Sequence, residues 1–337
     1  MKAVGYQKSL PISHDQSLMD ITQDKPKPTG HDLLVHIAAI SVNPVDTKVR
    51  MRAEAADGHY HVLGWDAVGT VVEKGADCSL FKIGDAVFYA GALNRPGTNS
   101  EFHLVDERIV GKKPQSVSNA EAAALPLTSI TAWEVLFDRL EILKHPSETG
   151  SSILIIGGAG GVGSIAIQLV KALTGLTVVA TASRPETRSW VQSLGADHVI
   201  DHNASMTAQW QDLGLAAPGY IFSTTQTDKH YDEIAELIAP QGRIALIDDP
   251  DMIDIRKLKR KSVSIHWELM FTRSLFSTPD MIEQHHLLTK IAELVDNKLV
   301  RTTLAEHFGT INASNIKRAH SLLETGKSKG KIVLEGF

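Results

Sequence analysis

The chain has 337 residues and 43% hydrophobic content, which is typical of an ordinary globular protein with room for two domains. Its formal net charge of −5 gives no basic field that would attract phosphate backbones, so we expect no nucleic-acid partner. Cys78 is the only cysteine, which excludes an internal disulfide and a four-cysteine zinc site and, with no signal-peptide pattern at the N-terminus, favours the cytoplasm.

The first 115 residues alternate apolar and polar positions in runs such as DLLVHIAAIS and DAVGTVVEKG, which glycine, proline and asparagine interrupt. This pattern predicts a mostly antiparallel β domain. Ser118 and Glu121 have the spacing of a helix capping box, and TSITAWEVLFDRL predicts a further helix. The run KHPSETGS (144–151) then predicts a turn.

From Ile153 onward, short β-branched runs alternate with helical stretches, which is the pattern of βαβ units and a doubly wound parallel sheet. The six predicted strands cover 153–157, 177–182, 198–201, 220–224, 243–248 and 262–267. Pro185 and Asp228 indicate helix starts, and Gly195 indicates a helix end. The uncharged run 153–170 has the length of a membrane span, but its glycines and polar residues exclude one, and we expect no membrane partner.

The first helix of this region has apolar residues at helical spacing, which predicts one wide apolar face against the sheet. These residues are Val162, Ile165, Ala166, Leu169, Val170 and Leu173. The final run, KSKGKIVLEGF, predicts a strand with no helix after it. Such a strand can rejoin the N-terminal β domain.

A glycine-rich run lies between the first of these strands and its helix. Gly158, Gly160, Gly161 and Gly163 form G-x-G-G-x-G around Val162. A pyrophosphate can accept backbone hydrogen bonds at a helix N-terminus only where no Cβ blocks it and the turn tolerates positive φ. The surrounding strands and helix complete the context of this motif, so the run predicts a dinucleotide site.

The end of the second strand predicts which dinucleotide binds. An NAD enzyme places Asp or Glu there, whereas this chain has Ala182, Ser183 and Arg184. Ser183 and Arg184 can bind a ribose 2′-phosphate, and Arg188 can add charge, so NADPH is favoured. The alternative is that Ser183 only caps the helix and Arg184 is solvated.

The order of a β domain, a dinucleotide fold and a returning strand resembles the medium-chain dehydrogenase/reductase superfamily. The runs NPVDTKVR, GWDAVGTVVEKG, PLTSITAWEVLFDRL and GKIVLEGF are similar to its quinone oxidoreductase branch, in particular the zinc-type alcohol dehydrogenase-like group. The resemblance implies an α/β protein with a GroES-like, mostly antiparallel β catalytic domain and a Rossmann domain with a six-stranded parallel sheet. The expected GroES-like domain covers 1–124 and 268–337, and the Rossmann domain covers 125–267.

The resemblance also implies site residues. Asn43 matches a family position beside the nicotinamide, where its amide could donate to a substrate oxygen; alternatively it caps a turn before Pro44. The family pattern places Thr131, Thr225 and Asp248 on the nicotinamide side of the cofactor. It places Lys331 on the phosphate side, although a solvated lysine at a strand edge is the alternative. A homodimer through edge strands of the dinucleotide domains is also implied.

The positions of the catalytic zinc ligands are altered in this chain. Asn43 and Trp65 stand where zinc members of the superfamily carry Cys and His, and an indole or carboxamide is a poor Zn²⁺ ligand. His59 and His61 could join Asp66 in a metal site, but two loop histidines without a thiolate are the simpler interpretation. We therefore expect no metal site and no zinc, despite the group's name.

Without a Lewis acid, hydride transfer to a conjugated acceptor is favoured over interconversion of alcohols and carbonyls, because conjugation spreads the developing charge. The expected substrate is a quinone or an α,β-unsaturated carbonyl. Asn43 and Tyr60 are the catalytic candidates, and Trp65, Trp267, Phe271 and Arg273 are candidate substrate contacts, although each aromatic residue could be simple core. The alternatives are a zinc-dependent alcohol dehydrogenase and a non-catalytic crystallin-like protein that binds nucleotide or RNA, for which RKLKRK (256–261) is the one basic run.

Overall fold

A computed structural model describes residues 1–144 and 152–337. The turn predicted at 144–151 therefore lies outside the described residues, apart from Lys144. The chain divides into two compact units, the first formed by residues 1–130 and 271–337 and the second by residues 131–270. The predicted domain boundaries were 124/125 and 267/268.

The strands, in chain order, are β1 (Lys2–Tyr6), β2 (Met19–Thr22), β3 (Asp32–Val42), β4 (His61–Val62), β5 (Asp66–Lys74), β6 (Ala86–Ala90), β7 (Phe102–Asp106), β8 (Val110–Lys112), β9 (Ser152–Ile156), β10 (Thr177–Thr181), β11 (His198–Ile200), β12 (Tyr220–Ser223), β13 (Arg243–Leu246), β14 (Ser264–Trp267), β15 (Leu304–His307) and β16 (Lys331–Glu335).

The α-helices are α1 (Pro44–Arg52), α2 (Asn119–Ala123), α3 (Pro126–Trp133), α4 (Gly161–Leu173), α5 (Pro185–Ser193), α6 (Met206–Asp212), α7 (Thr227–Leu237), α8 (Arg256–Lys259), α9 (Thr272–Leu275), α10 (Glu283–Asp296) and α11 (Ala313–Glu324). A π-helical turn, Glu134–Arg139, follows α3, and two 3₁₀ turns cover Asp15–Ser17 and Glu107–Ile109. None of the helices in the described ranges combines the length and apolarity that a bilayer crossing requires.

The second unit contains a six-stranded sheet in the order β11-β10-β9-β12-β13-β14, with every pair parallel. All six predicted strands are confirmed, and every observed limit lies within two residues of the predicted one. From β9 the chain first adds β10 and β11 on one side and then β12, β13 and β14 on the other. This change of direction beside β9 is the topological switch point of a doubly wound fold. The predicted Rossmann architecture is thereby confirmed.

Helix α4 is buried on more than the single face that its apolar residues predict. Ile165, Ala166, Leu169 and Val170 are fully buried as expected, but Ser164 and Ile167 are equally buried. The Ser164 hydroxyl accepts a 2.8 Å hydrogen bond from the Trp190 indole N–H, so the second face packs against α5. A polar residue is tolerated there because it is paired.

The first unit contains a seven-stranded sheet in which β15-β16-β3-β5-β6-β8 are successive neighbours and β7 also pairs with β3. All pairs except β15 with β16 are antiparallel. Strand β16 pairs with β3, which confirms the predicted return of the last strand to the N-terminal domain. A three-stranded sheet, β2-β1-β4, completes the unit.

Strand register brings three distant parts of the first unit together. Ser41 near the end of β3 lies opposite Asp66, the first residue of β5. Val42, the last residue of β3, lies opposite Ile332, so Lys331 lies beside Asn43. Residues 43, 66 and 331 therefore converge at one end of the sheet.

The helix ends agree with most of the predicted caps. Ser118 and Glu121 form the expected capping box of α2, and Pro185 is the first residue of α5. Two helix caps differ from the sequence expectations. The residue that caps α5 is Arg184, whose N–H donates to the Thr187 hydroxyl, and not Ser183. Helix α7 begins at Thr227 after the left-handed residue Gln226, so Asp228 lies inside its first turn.

Candidate active site

The glycine run forms the connection between β9 and α4, as predicted. A Cβ on Gly163 would lie 2.4 Å from the Gly157 carbonyl oxygen and 2.7 Å from the Gly158 Cα. A Cβ on Gly158 would lie 2.9 Å from the Ala180 Cβ of β10. Side chains at these two positions would collide with backbone or with the neighbouring strand, so close packing requires the glycines.

Gly157, which the sequence prediction assigned to the strand, is the residue that makes the turn. Its φ is +79°, and its N–H donates a 2.9 Å hydrogen bond to the Thr181 hydroxyl at the end of β10. The Gly158 N–H donates to the Thr181 carbonyl at 3.2 Å. The loop is therefore held against β10, and a non-glycine residue at 157 would be strained.

Helix α4 begins at Gly161, with Gly160 as a cap residue that has no side chain to accept hydrogen bonds. The first N–H groups of a helix have no intrahelical acceptor, and the helix dipole adds partial positive charge at this end. Gly161, Val162 and Gly163 form this first turn. The arrangement suits an anion such as a pyrophosphate.

Ser183, Arg184 and Arg188 follow the end of β10, as predicted. The Arg184 guanidinium pairs with the Glu186 carboxylate at 3.0 Å, and both side chains are partly exposed. The Arg188 guanidinium donates to the carbonyl oxygens of Ala182 and Val199, at 3.2 and 3.0 Å. Arg188 therefore links the ends of β10 and β11, and its hydrogen bonds go to backbone, while Arg184 has an exposed carboxylate as partner.

Thr225 and Asp248 follow the ends of β12 and β13, at the same edge of the sheet. Thr225 is exposed. Asp248 accepts hydrogen bonds from the Thr227 N–H, at 2.8 Å, and from the Thr227 hydroxyl. The Asp248 carboxylate thus caps α7, a role that the predicted contact with the nicotinamide did not include. The carboxyl ends of β9, β10, β12 and β13 together form the crevice where doubly wound sheets bind ligands.

A closed set of hydrogen bonds lies at the converging strand ends of the first unit. The Asn43 amide N–H donates to Asp66 Oδ2 at 2.8 Å, and the Asn43 carbonyl oxygen accepts from the Lys331 ammonium. Lys331 Nζ also lies 3.1 Å from Asp66 Oδ2. All three side chains are at most 3% exposed. We call these three residues the Asn43–Asp66–Lys331 triad.

Backbone groups complete the triad. Asp66 Oδ1 accepts from the Leu127 N–H at 2.7 Å. Lys331 donates to the Val42 carbonyl at 3.0 Å, and Asn43 donates its second amide hydrogen to the Ser41 carbonyl at 3.3 Å. The three donors of the ammonium and both amide hydrogens of Asn43 are thus engaged within the protein.

These contacts bear on two sequence predictions. The Asn43 amide is not available to donate to a substrate oxygen, because both of its hydrogens are taken by Asp66 and Ser41. Lys331 is not the solvated lysine of the alternative, because it is buried and its ammonium has three acceptors within the protein. Asn43 is also the residue that precedes α1, but its side chain makes no capping hydrogen bond there.

Asp46, in the first turn of α1, adds a second buried carboxyl group beside the triad. It is 1% exposed and accepts a 2.8 Å hydrogen bond from the Asn43 backbone N–H. Burial raises the pKa of Asp46 to about 7, with the Asp66 carboxylate adding to the rise and the Asn43 N–H and Lys331 opposing it. Nothing in the sequence pointed to this carboxyl group beyond its position three residues after Asn43.

The predicted aromatic contacts do not form one surface. Trp65 and Phe271 are both 2% exposed and pack edge to face, with ring centroids 5.9 Å apart. The Trp65 indole N–H donates to the Ala92 carbonyl, so both residues belong to the core of the first unit. Tyr60 is 44% exposed in the connection between α1 and β4. Arg273, two residues after Phe271, pairs with Asp280.

The remaining candidates have separate positions. Thr131 is buried in α3, and Trp267 is 53% exposed on β14, the edge strand of the parallel sheet. His61 stacks on Tyr6, and its Nδ1 lies 3.3 Å from the Tyr6 hydroxyl, whereas His59 is exposed. The two ranges that the structure describes contain no group of three His, Cys, Asp or Glu side chains placed to share a metal ion.

Comparisons with known proteins cover the whole chain. Family models described as an alcohol dehydrogenase GroES-like domain and a zinc-binding dehydrogenase match residues 29–115 and 194–334. A zinc-type alcohol dehydrogenase-like protein of Staphylococcus aureus is 43% identical over 99% of both chains. The 2-methylene-furan-3-one reductase of Solanum lycopersicum is 30% identical over 96% of this chain and 75% of its own.

A solved structure from Rhizobium etli CFN 42, named as a zinc-dependent alcohol dehydrogenase protein, is 60% identical and superimposes with a TM-score of 0.97. It covers 100% of this chain and 98% of its own. This likeness and the 43% identity of the staphylococcal relative extend over both units of the fold.

Zinc, which the names of these relatives imply, does not fit the residues at the triad. Trp65 offers no lone pair to a metal, and its N–H is donated to Ala92. The Asp66 carboxylate already has an ammonium and two N–H donors as partners. A cation there would have to displace Lys331 from a buried position.

The fold and the comparisons identify the same family. The fold combines a β domain that includes the last strand with a doubly wound parallel sheet, and the similarity to named relatives covers nearly the whole chain. The chain is an oxidoreductase of the medium-chain dehydrogenase/reductase superfamily and belongs to its group of zinc-type alcohol dehydrogenase-like proteins.

Proposed function

We propose that this protein is an NADPH-dependent, zinc-independent reductase of quinones or α,β-unsaturated carbonyl compounds. The observation that carries the proposal is the Asn43–Asp66–Lys331 triad. It puts an amide and an ammonium where metal ligands would be needed, and the residue beside Asp66 in the sequence is Trp65, whose indole is no metal ligand either. A reductase without a Lewis acid needs an acceptor that can delocalise negative charge. Enones and quinones can delocalise this charge, whereas an isolated carbonyl group gives an alkoxide whose charge stays on one oxygen.

The residues at the carboxyl edge of the parallel sheet fit NADPH. The first turn of α4 would hold the pyrophosphate, and the glycines at 158 and 163 leave room for it. Ser183 and Arg184 would hold the 2′-phosphate, with Arg188 contributing charge nearby. No carboxylate follows β10 directly, and Glu186, the first acidic residue there, already pairs with Arg184. When bound, NADPH supplies the hydride.

One relative supports the acceptor class. The tomato protein is named for the reduction of 2-methylene-furan-3-one, in which an exocyclic methylene is conjugated with a carbonyl group. At 30% identity over nearly the whole chain, this name favours a conjugated carbonyl acceptor without identifying which one.

Tyr60 remains the proposed proton donor, because its phenol is 44% exposed whereas the amide of Asn43 is engaged. Its loop is anchored at both ends by Tyr6, whose hydroxyl donates to the Ala53 carbonyl and contacts His61. Tyr60→Phe keeps the ring and removes only the proton, so it should lower kcat while leaving NADPH affinity unchanged.

The test is turnover by the purified enzyme, followed as loss of reduced nicotinamide absorbance. We expect oxidation of NADPH with enones or quinones, a preference over NADH, and full activity after dialysis against a chelator. Loss of activity on chelation, with recovery on addition of Zn²⁺, would instead establish the metal-dependent alcohol dehydrogenase that the names of the relatives suggest.

The basic run 256–261 offers little support for a nucleic-acid-binding alternative. Arg256 forms a two-point ion pair with Asp254, and Lys257 pairs with Asp232. Lys261 donates to three carbonyl oxygens at the end of α7, which is where a cation stabilises a helix. These contacts give half of the six residues a structural role.

We further propose that the protein forms a homodimer through β14. This strand is at the edge of the parallel sheet, and Trp267 and the neighbouring Leu269 are 53% and 50% exposed. An edge strand with exposed apolar side chains readily pairs with another chain. Light scattering during size-exclusion chromatography should give twice the mass of the 36.6 kDa chain. The Trp267→Glu variant should give the mass of a single chain.

A further inference from the structure

We propose that Lys331 is an internal replacement for a metal ion: its ammonium supplies the positive charge that holds Asp66 and Asn43 in place, and thereby excludes divalent cations from this position. The proposal rests on the zinc independence inferred above, but it does not depend on the cofactor or on the acceptor. The last strand of the fold, β16, would then supply the positive charge of the site through Lys331.

The contacts of Lys331 are those expected of a bound cation. Its ammonium meets three oxygen atoms, which are the amide carbonyl oxygens of the Val42 backbone and the Asn43 side chain and a carboxylate oxygen of Asp66. Oxygen ligands of this kind are the ones that hard divalent cations select. The protein therefore presents a cation-binding arrangement that one of its own side chains fills.

The charges show why the ammonium is needed. Lys331 is 3% exposed and Asp66 is 0% exposed, so an ionised carboxylate without a counter-charge would be very costly there. Asp46 is a second buried carboxyl group beside the triad. Removal of the ammonium would therefore leave the buried Asp66 carboxylate without a counter-charge, in an oxygen-lined position.

Sequence and register explain how the replacement is built. Strand β16 enters the sheet between β15 and β3, and Lys331 is its first residue. The pairing of Ile332 with Val42 directs the lysine to Asn43. The same strand therefore completes the sheet and positions the charge.

The experiment compares the wild type with Lys331→Met, Asp66→Asn and the double variant. Methionine keeps most of the length of lysine and removes the charge. Each protein is dialysed against Zn²⁺ or Mn²⁺ and then against buffer, bound metal is measured by mass spectrometry, and thermal unfolding is recorded with and without the metal. Lys113→Met is the matched control, because Lys113 donates only to the carbonyl oxygens of Pro114 and Val117 in the contacts described.

We expect the wild type to bind no more zinc than Asp66→Asn does. Lys331→Met should unfold roughly 5–10 °C lower than the wild type, since one member of a buried ion pair is left alone. Mn²⁺ at millimolar concentration should raise the Tm of Lys331→Met by several degrees, and should do so neither in the double variant nor in Lys113→Met. The double variant should be more stable than Lys331→Met, because it removes both charges.

Three results would overturn the proposal. They are zinc retained by the wild type and lost in Asp66→Asn, a Tm of Lys331→Met equal to that of the wild type, and a double variant no more stable than Lys331→Met. The last comparison decides the matter even if Lys331→Met does not fold. None of these measurements uses turnover, so failure here is distinct from failure to find a substrate.

Discussion

The glycine loop of the second unit and the triad of the first unit are built in opposite ways. The loop is formed by consecutive residues, 157–163, whose shape follows from missing side chains. The triad is formed by residues 43, 66 and 331, which meet only because three strands pair in register. A feature made of backbone is therefore local in sequence, whereas one made of buried charges depends on the complete fold.

The largest effect should come from the buried carboxyl group beside the triad. The pKa of Asp46 rises from 3.8 to about 7 on folding, so the folded state binds more protons between these values and stability falls as pH rises through that interval. Asp46→Asn should remove this dependence, which amounts to at most about 4 kcal/mol. Urea unfolding at pH 5 and pH 8 measures most of it, with Asp251→Asn as an exposed control. An unchanged pH dependence would refute the assignment.

The next effect tests the local region. Gly163→Ala should destabilise the protein by about 1–3 kcal/mol and abolish tight NADPH binding, because its Cβ would lie 2.4 Å from a backbone oxygen. Gly175→Ala is the matched control, since a Cβ there has nothing within 4 Å. Calorimetric titration with NADPH and thermal unfolding check both variants. Equal behaviour of the two would show that packing at 163 is not critical.

Arg184→Ala should weaken NADPH binding by about 1–3 kcal/mol, the range for hydrogen bonds to charged groups, and leave NADH binding almost unchanged. The reason is that only NADPH carries the 2′-phosphate that Arg184 is proposed to bind. Titration of both cofactors measures the difference. Equal losses for NADPH and NADH would rule out that role.

Glu186→Gln should give the smallest effect and one of opposite sign. It releases Arg184 from its exposed ion pair, and such pairs contribute about 0.2–1 kcal/mol. NADPH should bind slightly more tightly as a result, and the gain should shrink at high salt. A weaker binding of NADPH would mean that Glu186 orients Arg184 instead of competing for it.

Much of the second unit could be predicted from sequence because its signals are short in range. Alternating strand and helix patterns give six parallel strands, and the glycine spacing gives the loop. The turn residue itself was missed, since Gly157 continues an apolar run and only its φ of +79° distinguishes it from a strand residue. The capping role of Arg184 was missed as well, because Ser183 is the commoner cap.

The first unit was predictable as an architecture and not as a site. Its antiparallel strands and returning β16 follow from alternation and from the absence of a helix after the last strand. The partners of Asn43 and Lys331 do not follow, since a shift of one residue in register would turn both side chains elsewhere. Each residue was assigned alone to a ligand, whereas the fold pairs them with each other.

The position of β16 inside its sheet also sets the order in which the two units can fold during synthesis. Residues 131–270 form a continuous unit that can fold as soon as they leave the ribosome, while residues 1–130 wait for a strand that is translated some 200 residues later. Until then residues 39–42 of β3 lack their β16 partner and Asp66 lacks its counter-ion.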